Sequence, residues 1–208
     1  MLKNILYISA SVIIFFMGLI LYGLILNLGE VSLEDALQDK NLSKIDNLRI
    51  IVDRSSYRLE IYSGNILIKS YKTVFGKNPS TIKTSADDHV TPIGEYQICA
   101  IDTNHKYRKF LQLNYPNEKD AAEALKRGYI NQVEFESISD SEKKRECPPK
   151  STKLGANIGI HGIGDYDLIF RNLPFIFNWT NGSIAISNKN IDELSSIVQT
   201  GTRVKITY

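Results

Sequence analysis

The stretch Asn178-Trp179-Thr180-Asn181-Gly182-Ser183-Ile184-Ala185-Ile186 sets one small hydroxyl directly behind a glycine, at the head of an apolar run. A chain can present a nucleophile this way. The run is buried as a strand, the glycine lets the backbone turn, and the hydroxyl stands at the bend. Backbone N–H groups around Gly182 and Ser183 are then available to stabilise an oxyanion. The plainer reading is a hairpin turn with Asn181-Gly182 at its tip, and the pattern by itself favours the turn.

Upstream, Ile158-Gly159-Ile160-His161-Gly162 delivers an imidazole from an apolar strand to a glycine. The chain can turn there and a ligand can approach. Taken alone, His161 reads as a histidine satisfied at a strand end. The other two histidines, His89 and His105, stand in no such setting.

Around these two stretches the chain reads as mainly β with a few helices. Leu48 to Asp53, Tyr57 to Tyr62, Ile66 to Phe75 and Gly94 to Ile101 have strand character, with a turn at Ser63-Gly64-Asn65 making a hairpin. Glu118 to Arg127 predicts a helix stopped by Gly128, and Asn190 a cap for a helix over 191–199, with Asp192 and Glu193 in its first turn. Thr202 to Tyr208 reads as a closing strand. Residues 131–153 are charged and poor in pattern, and are expected to form a long loop.

From Ile5 to Leu28 no residue is charged. A bilayer core needs roughly 20 apolar residues in a helix. A cleaved signal peptide has an apolar core of about 7–15 residues and ends in a small-x-small site, and Leu28-Gly29-Glu30 is a poor one. The reading is an uncleaved anchor. Residues 1–28 form a cytoplasmic stub and transmembrane helix, 29–47 a juxtamembrane spacer with a short helix in VSLEDALQ, and 48–208 the folded domain. Lys3 precedes the span while Glu30, Glu34 and Asp35 follow it, which puts the domain outside.

The 208 residues carry a net charge of +2 and are 43% hydrophobic. This excludes a strongly basic nucleic-acid binder and an acidic disordered chain. Three scattered histidines and two distant cysteines make no metal set, and no phosphate-binding glycine loop is present, so neither metal nor cofactor is expected. An oxidising compartment permits a Cys99–Cys147 disulfide. The sequence reading nonetheless favours Cys99 packed within its strand and Cys147 unpaired in a loop before Pro148-Pro149.

Together the two opening stretches resemble the L,D-transpeptidase (YkuD-type) family, whose signature has a histidine and then, after a variable loop, Ser/Thr-His-Gly-Cys. The matching positions are His161 and Thr180, Asn181, Gly182 and Ser183. The resemblance extends to Gly76, to Thr91-Pro92-Ile93-Gly94-Glu95-Tyr96, to Leu113-Asn114-Tyr115-Pro116-Asn117 followed by Asp120-Ala121, and to Ser187-Asn188. It spans about Leu48 to Tyr208. Asn181 stands where the family usually has histidine and Ala185 where arginine is frequent, as in members that read W-T-x-G-C-I-A. Ser183 stands where the family keeps its nucleophilic cysteine.

The resemblance implies a β-sandwich domain acting on peptidoglycan stem peptides by acyl transfer, without nucleic acid, metal or cofactor, on a membrane reached through residues 5–28. It implies Ser183, His161, Gly162 and Gly182 as the catalytic set, with the Gly162 carbonyl holding the imidazole. It implies Thr180, Asn181, Trp179 and Tyr115 at the substrate, with Arg171 substituting for the missing arginine. A thiol ionises near pH 8.5 and lower beside an imidazole; a serine needs a well-placed base. Three readings stay open: an acyltransferase using Ser183, a pseudoenzyme that binds stems, and a Cys-to-Ser variant of an active enzyme. Cys147 as the thiol is disfavoured, since no glycine turn presents it.

Overall fold

The computed structural model describes residues 2–27, 29–173 and 175–208. Helix α1 (Leu2–Asn27) follows the apolar run, and its Leu2–Ile25 portion, with mean hydropathy 2.4, is long and apolar enough to cross a membrane. Helix α2 (Leu33–Asp39) starts at Ser32, whose Oγ accepts the Asp35 N–H at 3.1 Å. It lies in the stretch expected to be a spacer, yet Leu33 and Ala36 are buried in the main core.

Eight strands form one sheet in the order β3-β2-β1-β8-β4-β5-β6-β7. These are β1 (Leu48–Asp53), β2 (Arg58–Ser63), β3 (Ile66–Lys72), β4 (Gly94–His105), β5 (Arg108–Leu113), β6 (Gly159–His161), β7 (Ile184–Ala185) and β8 (Arg203–Thr207). Alternate residues face inward, as strand geometry requires: Ile50 and Val52, Leu59 and Ile61, Leu111 and Leu113, Val204 and Ile206 all join the core.

The expected sandwich is instead one continuous curled sheet within a mixed α/β fold. The long strand β4 is the reason. Its first part, Gly94–Gln97, pairs with β8, and its remainder, from Ile98 on, pairs with β5. One strand thus serves two halves, and the sheet bends through it. Just past β3, Val74 exchanges hydrogen bonds of 3.0 and 2.9 Å with Ala185 of β7, which brings the two ends of the sheet together.

Helices α3 (Glu118–Lys126), α4 (Gln132–Lys143), α5 (Asp167–Phe170) and α6 (Asn188–Ile197) complete the fold. Helix α4 corrects the expectation of a loop over 131–153. Its N-terminus carries a capping box of Asn131 and Glu134. Its apolar pattern is thin because it buries few side chains, chiefly Ile138, in a small separate cluster with Ala121, Ala124, Ile130 and Leu154. Helix α6 begins three residues earlier than expected and is capped by Ser187, whose Oγ accepts the Asn190 N–H at 3.2 Å.

Cys99 and Cys147 form a disulfide, which corrects the unpaired reading and removes Cys147 as a thiol nucleophile. Cys99 sits at a register shift between Ile98 and Ala100 in β4. Such a bulge re-aims a side chain, and here the strand alternation used to place Cys99 inside does not hold.

Candidate active site

Strands β6 and β7 run parallel, with Ile160 opposite Ile184 and His161 opposite Ala185. Gly159 is therefore opposite Ser183, and its N–H donates to Ser183 Oγ at 3.3 Å. Ser183 directly precedes β7, and its neighbour across the pair, Gly159, stands two residues, or ~7 Å, before His161 along β6.

His161 is 3% exposed. Its Nδ1 lies 2.6 Å from the Gly162 carbonyl oxygen. A carbonyl only accepts, so Nδ1 carries the proton and Nε2 is the unprotonated nitrogen. Burial pulls the imidazole pKa down to about 4; the Gly162 bond opposes this, and the neighbouring His105 and Lys106 reinforce it. The ring is thus a neutral base at any pH near 7. Among the described residues no carboxylate bonds to the ring. Asp167 instead accepts the Asn188 N–H at 2.8 Å, and Asp165 is exposed.

A wall of rings surrounds the imidazole. Tyr107 stacks on it with centroids 4.8 Å apart and planes inclined 22°. Trp179 meets His161 edge-on at 5.7 Å and Tyr107 at 5.4 Å. Phe110 and His105 lie at 6.2 and 6.4 Å. Tyr107 escaped the sequence reading, and His105 was given no role there, because β5 and its tight connection to β4 were not foreseen. Nothing local in that stretch marks a ring that stacks on a histidine fifty-odd residues away.

The loop before Ser183 is tightly held. Thr180 is buried; its Oγ1 donates to the Ser183 carbonyl oxygen at 2.6 Å and accepts the Gly182 N–H at 3.2 Å. The Gly182 amide is therefore engaged within the loop. Thr180 N–H donates to the Phe75 carbonyl at 3.2 Å, and Lys77 N–H to the Thr180 carbonyl at 3.1 Å. Asn178 Oδ1 accepts the Phe75 N–H at 2.9 Å. Gly182 has φ +117°, and a Cβ there would lie 2.8 Å from the Val90 carbonyl oxygen, so glycine is required on both counts.

A second layer holds the neighbouring segments. Thr91 is buried and its Oγ1 accepts the Gly76 N–H at 2.9 Å. Arg54, also buried, donates to the carbonyls of Thr91, Pro79 and Ser80 at 2.9 to 3.2 Å.

Not every expected residue gathers here. Tyr115 is 2% exposed and packs edge-on against Tyr96 at 5.9 Å. It lies five residues beyond Phe110, ~16 Å along the chain, and lines a separate cavity of about 170 Å³ with Lys83, Asp120 and Tyr129. Arg171 ends α5 and pairs with Asp167 at 3.5 Å; its neighbour Phe170 is the one that meets Trp179, at 6.1 Å. Asn181 is exposed and accepts from Lys77 Nζ at 3.3 Å. Among the described residues no group of three or more His, Cys, Asp or Glu side chains could hold a metal ion.

The family model described as YkuD, L,D-transpeptidase catalytic domain, matches residues 47–206. The chain belongs to this family. Solved structures similar to this L,D-transpeptidase-family chain include Bd1075 from Bdellovibrio bacteriovorus, at 20% identity over 78% of this chain and 48% of that one, TM-score 0.48. Another is the helical cell shape determining protein Pgp2 from Campylobacter jejuni, at 14% identity over 84% of this chain and 55% of that one, TM-score 0.46. A third is the L,D-transpeptidase from Xylanimonas cellulosilytica, at 14% identity over 83% and 68%, TM-score 0.43. The chain spans about half the length of the first two. No curated protein sequence matches it.

Proposed function

We propose that the chain is a peptidoglycan-directed acyltransferase of the L,D-transpeptidase type, held at the outer face of a membrane by α1, with Ser183 in the nucleophile position and His161 as its base. The observation that carries this reading is the neutral imidazole bonded through Nδ1 to Gly162, two residues along β6 from the Gly159 amide that donates to Ser183 Oγ. Nε2 is then the atom that takes the Ser183 proton as Oγ attacks the stem-peptide carbonyl. The new C–O bond forms, the C–N bond to the leaving D-amino acid breaks, and the proton passes to that amine. A second amine or water resolves the ester. The Ser183 amide is the group assigned to the oxyanion; Trp179 and Tyr107 wall the stem, and Gly182 shapes the turn.

One observation favours a slower variant of this chemistry, in which the site binds stems with little turnover. The acceptor behind His161 is a carbonyl, whereas serine triads place a carboxylate there to stabilise the imidazolium. A thiolate needs less from its base than an alkoxide does.

Intact mass spectrometry of the full chain with tetrapeptide stems, compared with Ser183→Cys, decides between them. Adducts on both forms mean a working serine enzyme. An adduct on the cysteine form alone means a competent scaffold limited by its serine. Adducts on neither refute the acyltransferase reading.

A further inference from the structure

Between Tyr166 and Phe177 the domain exposes an unusual concentration of large apolar side chains. Tyr166, Leu168, Ile169, Phe175, Ile176 and Phe177 are each 45–65% exposed. Elsewhere among the described residues of the folded part, the exposed large apolar residues stand singly, as at Ile82 and Val133, or as the pair Ile66 and Leu67. Scattered exposure needs no explanation, but a contiguous patch marks a surface that meets something.

Two further observations say what it meets. Gly23, in the last turns of α1, packs so closely on the backbone of Asn172 that a side chain at this position would collide with the Asn172 carbonyl. The apolar segment therefore borders the end of the helix assigned to the membrane. The tether is also short. Only residues 28–32 separate α1 from α2, a reach of about 18 Å when fully extended. Leu33 and Ala36 of α2 are already buried in the domain core. The domain cannot stand off from a bilayer that α1 spans, and its Asn172 side is the side that faces it.

We propose that residues 166–173 and 175–177 form a membrane-interfacial wedge, whose aromatic and aliphatic side chains enter the headgroup–acyl boundary beside α1. The inference rests on the anchoring role of α1 given above. Aromatic rings are favoured at that depth, and apolar side chains bind there in proportion to the area they bury. The wedge continues into the site: Phe170 stacks on Phe177 at 6.4 Å and meets Trp179 at 6.1 Å. The Trp179 side of the site is thereby held near the bilayer surface, where it meets stem peptides close to the membrane.

The chain has a single tryptophan, Trp179, so one fluorescent reporter can be moved. Full-length protein carrying Trp179→Phe with either Phe175→Trp or Val133→Trp is reconstituted in phosphatidylethanolamine–phosphatidylglycerol vesicles, with and without dibrominated acyl chains. The wedge predicts that bromine lowers the position-175 emission roughly twofold and leaves position 133, on α4, unchanged. If the protein resists an alkaline wash but the position-175 reporter is unquenched, the wedge is overturned while the anchor stands. If the wash releases the protein, the anchor fails and the wedge with it. A blue shift at position 175 without bromine quenching means a protein surface covers the patch, which also overturns the wedge.

Discussion

His161 and Gly162 are joined twice, by their peptide bond and by a hydrogen bond of 2.6 Å from the ring Nδ1–H to the Gly162 carbonyl. The ring is buried and its pKa lies at about 4, below the ordinary 6.5. Between those values the unfolded chain takes up a proton that the native ring refuses. The His161 contribution to stability is whole above about pH 6.5 and falls by roughly 3 kcal/mol as pH drops toward 4. Asp120, pushed up to about 6 chiefly by burial, works the other way: its contribution is whole at low pH and lost as pH rises through 6. The comparison must therefore be between variants. On going from pH 7.5 to 4.5 the urea midpoint should move further in the destabilising direction in the parent chain than in His161→Gln; an identical signed change would contradict the buried neutral ring.

Gly182 combines a left-handed φ of +117° with a close approach to Val90 and to Ile158. Gly182→Ala should cost about 1–3 kcal/mol and slow adduct formation in the Ser183→Cys background, because the Ser183 position moves with the loop. Gly128 is the control: its φ is +74°, with open space around it. Gly128→Ala should cost about 1 kcal/mol and leave adduct formation unchanged. Thermal melts and the mass assay read both.

The Cys99–Cys147 bridge closes a segment of 48 residues' separation that contains α3 and α4. Cross-linking over such a distance restricts the unfolded chain by about 4 kcal/mol on chain-entropy grounds, and typical bridges deliver about 2–4. Replacing both cysteines with serine should lower the denaturant midpoint accordingly. Hydrogen exchange should rise first in α4, whose own cluster is small.

Lys69 of β3 and Glu193 of α6 form a buried ion pair at 2.6 Å, with the Tyr71 hydroxyl also donating to Glu193 at 3.1 Å. Glu193→Ala strands the ammonium and should cost about 3–5 kcal/mol. The double variant Lys69→Met, Glu193→Leu removes both charges and should recover most of that loss. Denaturant unfolding of the single and double variants tests this, and a double variant no better than the single would show that packing, not the charge, is what Glu193 supplies.

Local features were readable along the chain. The α1 run, the hairpin at Ser63-Gly64-Asn65 and the C-terminal strand each announce themselves within a few residues, since hydropathy period and turn chemistry act over that range. Helix α4 was hidden because its burial is slight and its neighbours are charged, although Asn131 and Glu134 stood at capping-box spacing. The sandwich expectation failed at β4: a strand shared between two halves bends a single sheet, and no local pattern records which neighbour a strand pairs with at each end. The disulfide was hidden for a related reason, since the bulge at Cys99 breaks the alternation on which its placement relied.

By itself the sequence determined the family, the order of most elements, and the two short segments that carry His161 and Ser183, because glycines and apolar runs act locally on the backbone. Tertiary structure alone decided that those segments lie side by side on parallel strands, and that Tyr107 stacks on the imidazole. It also decided that Thr180 is spent inside its loop, that Tyr115 belongs to another cavity, and that Arg171 turns to Asp167. Those outcomes depend on strand pairing and burial between residues far apart in the chain, where the free energy of a contact is set by what the whole fold brings alongside it.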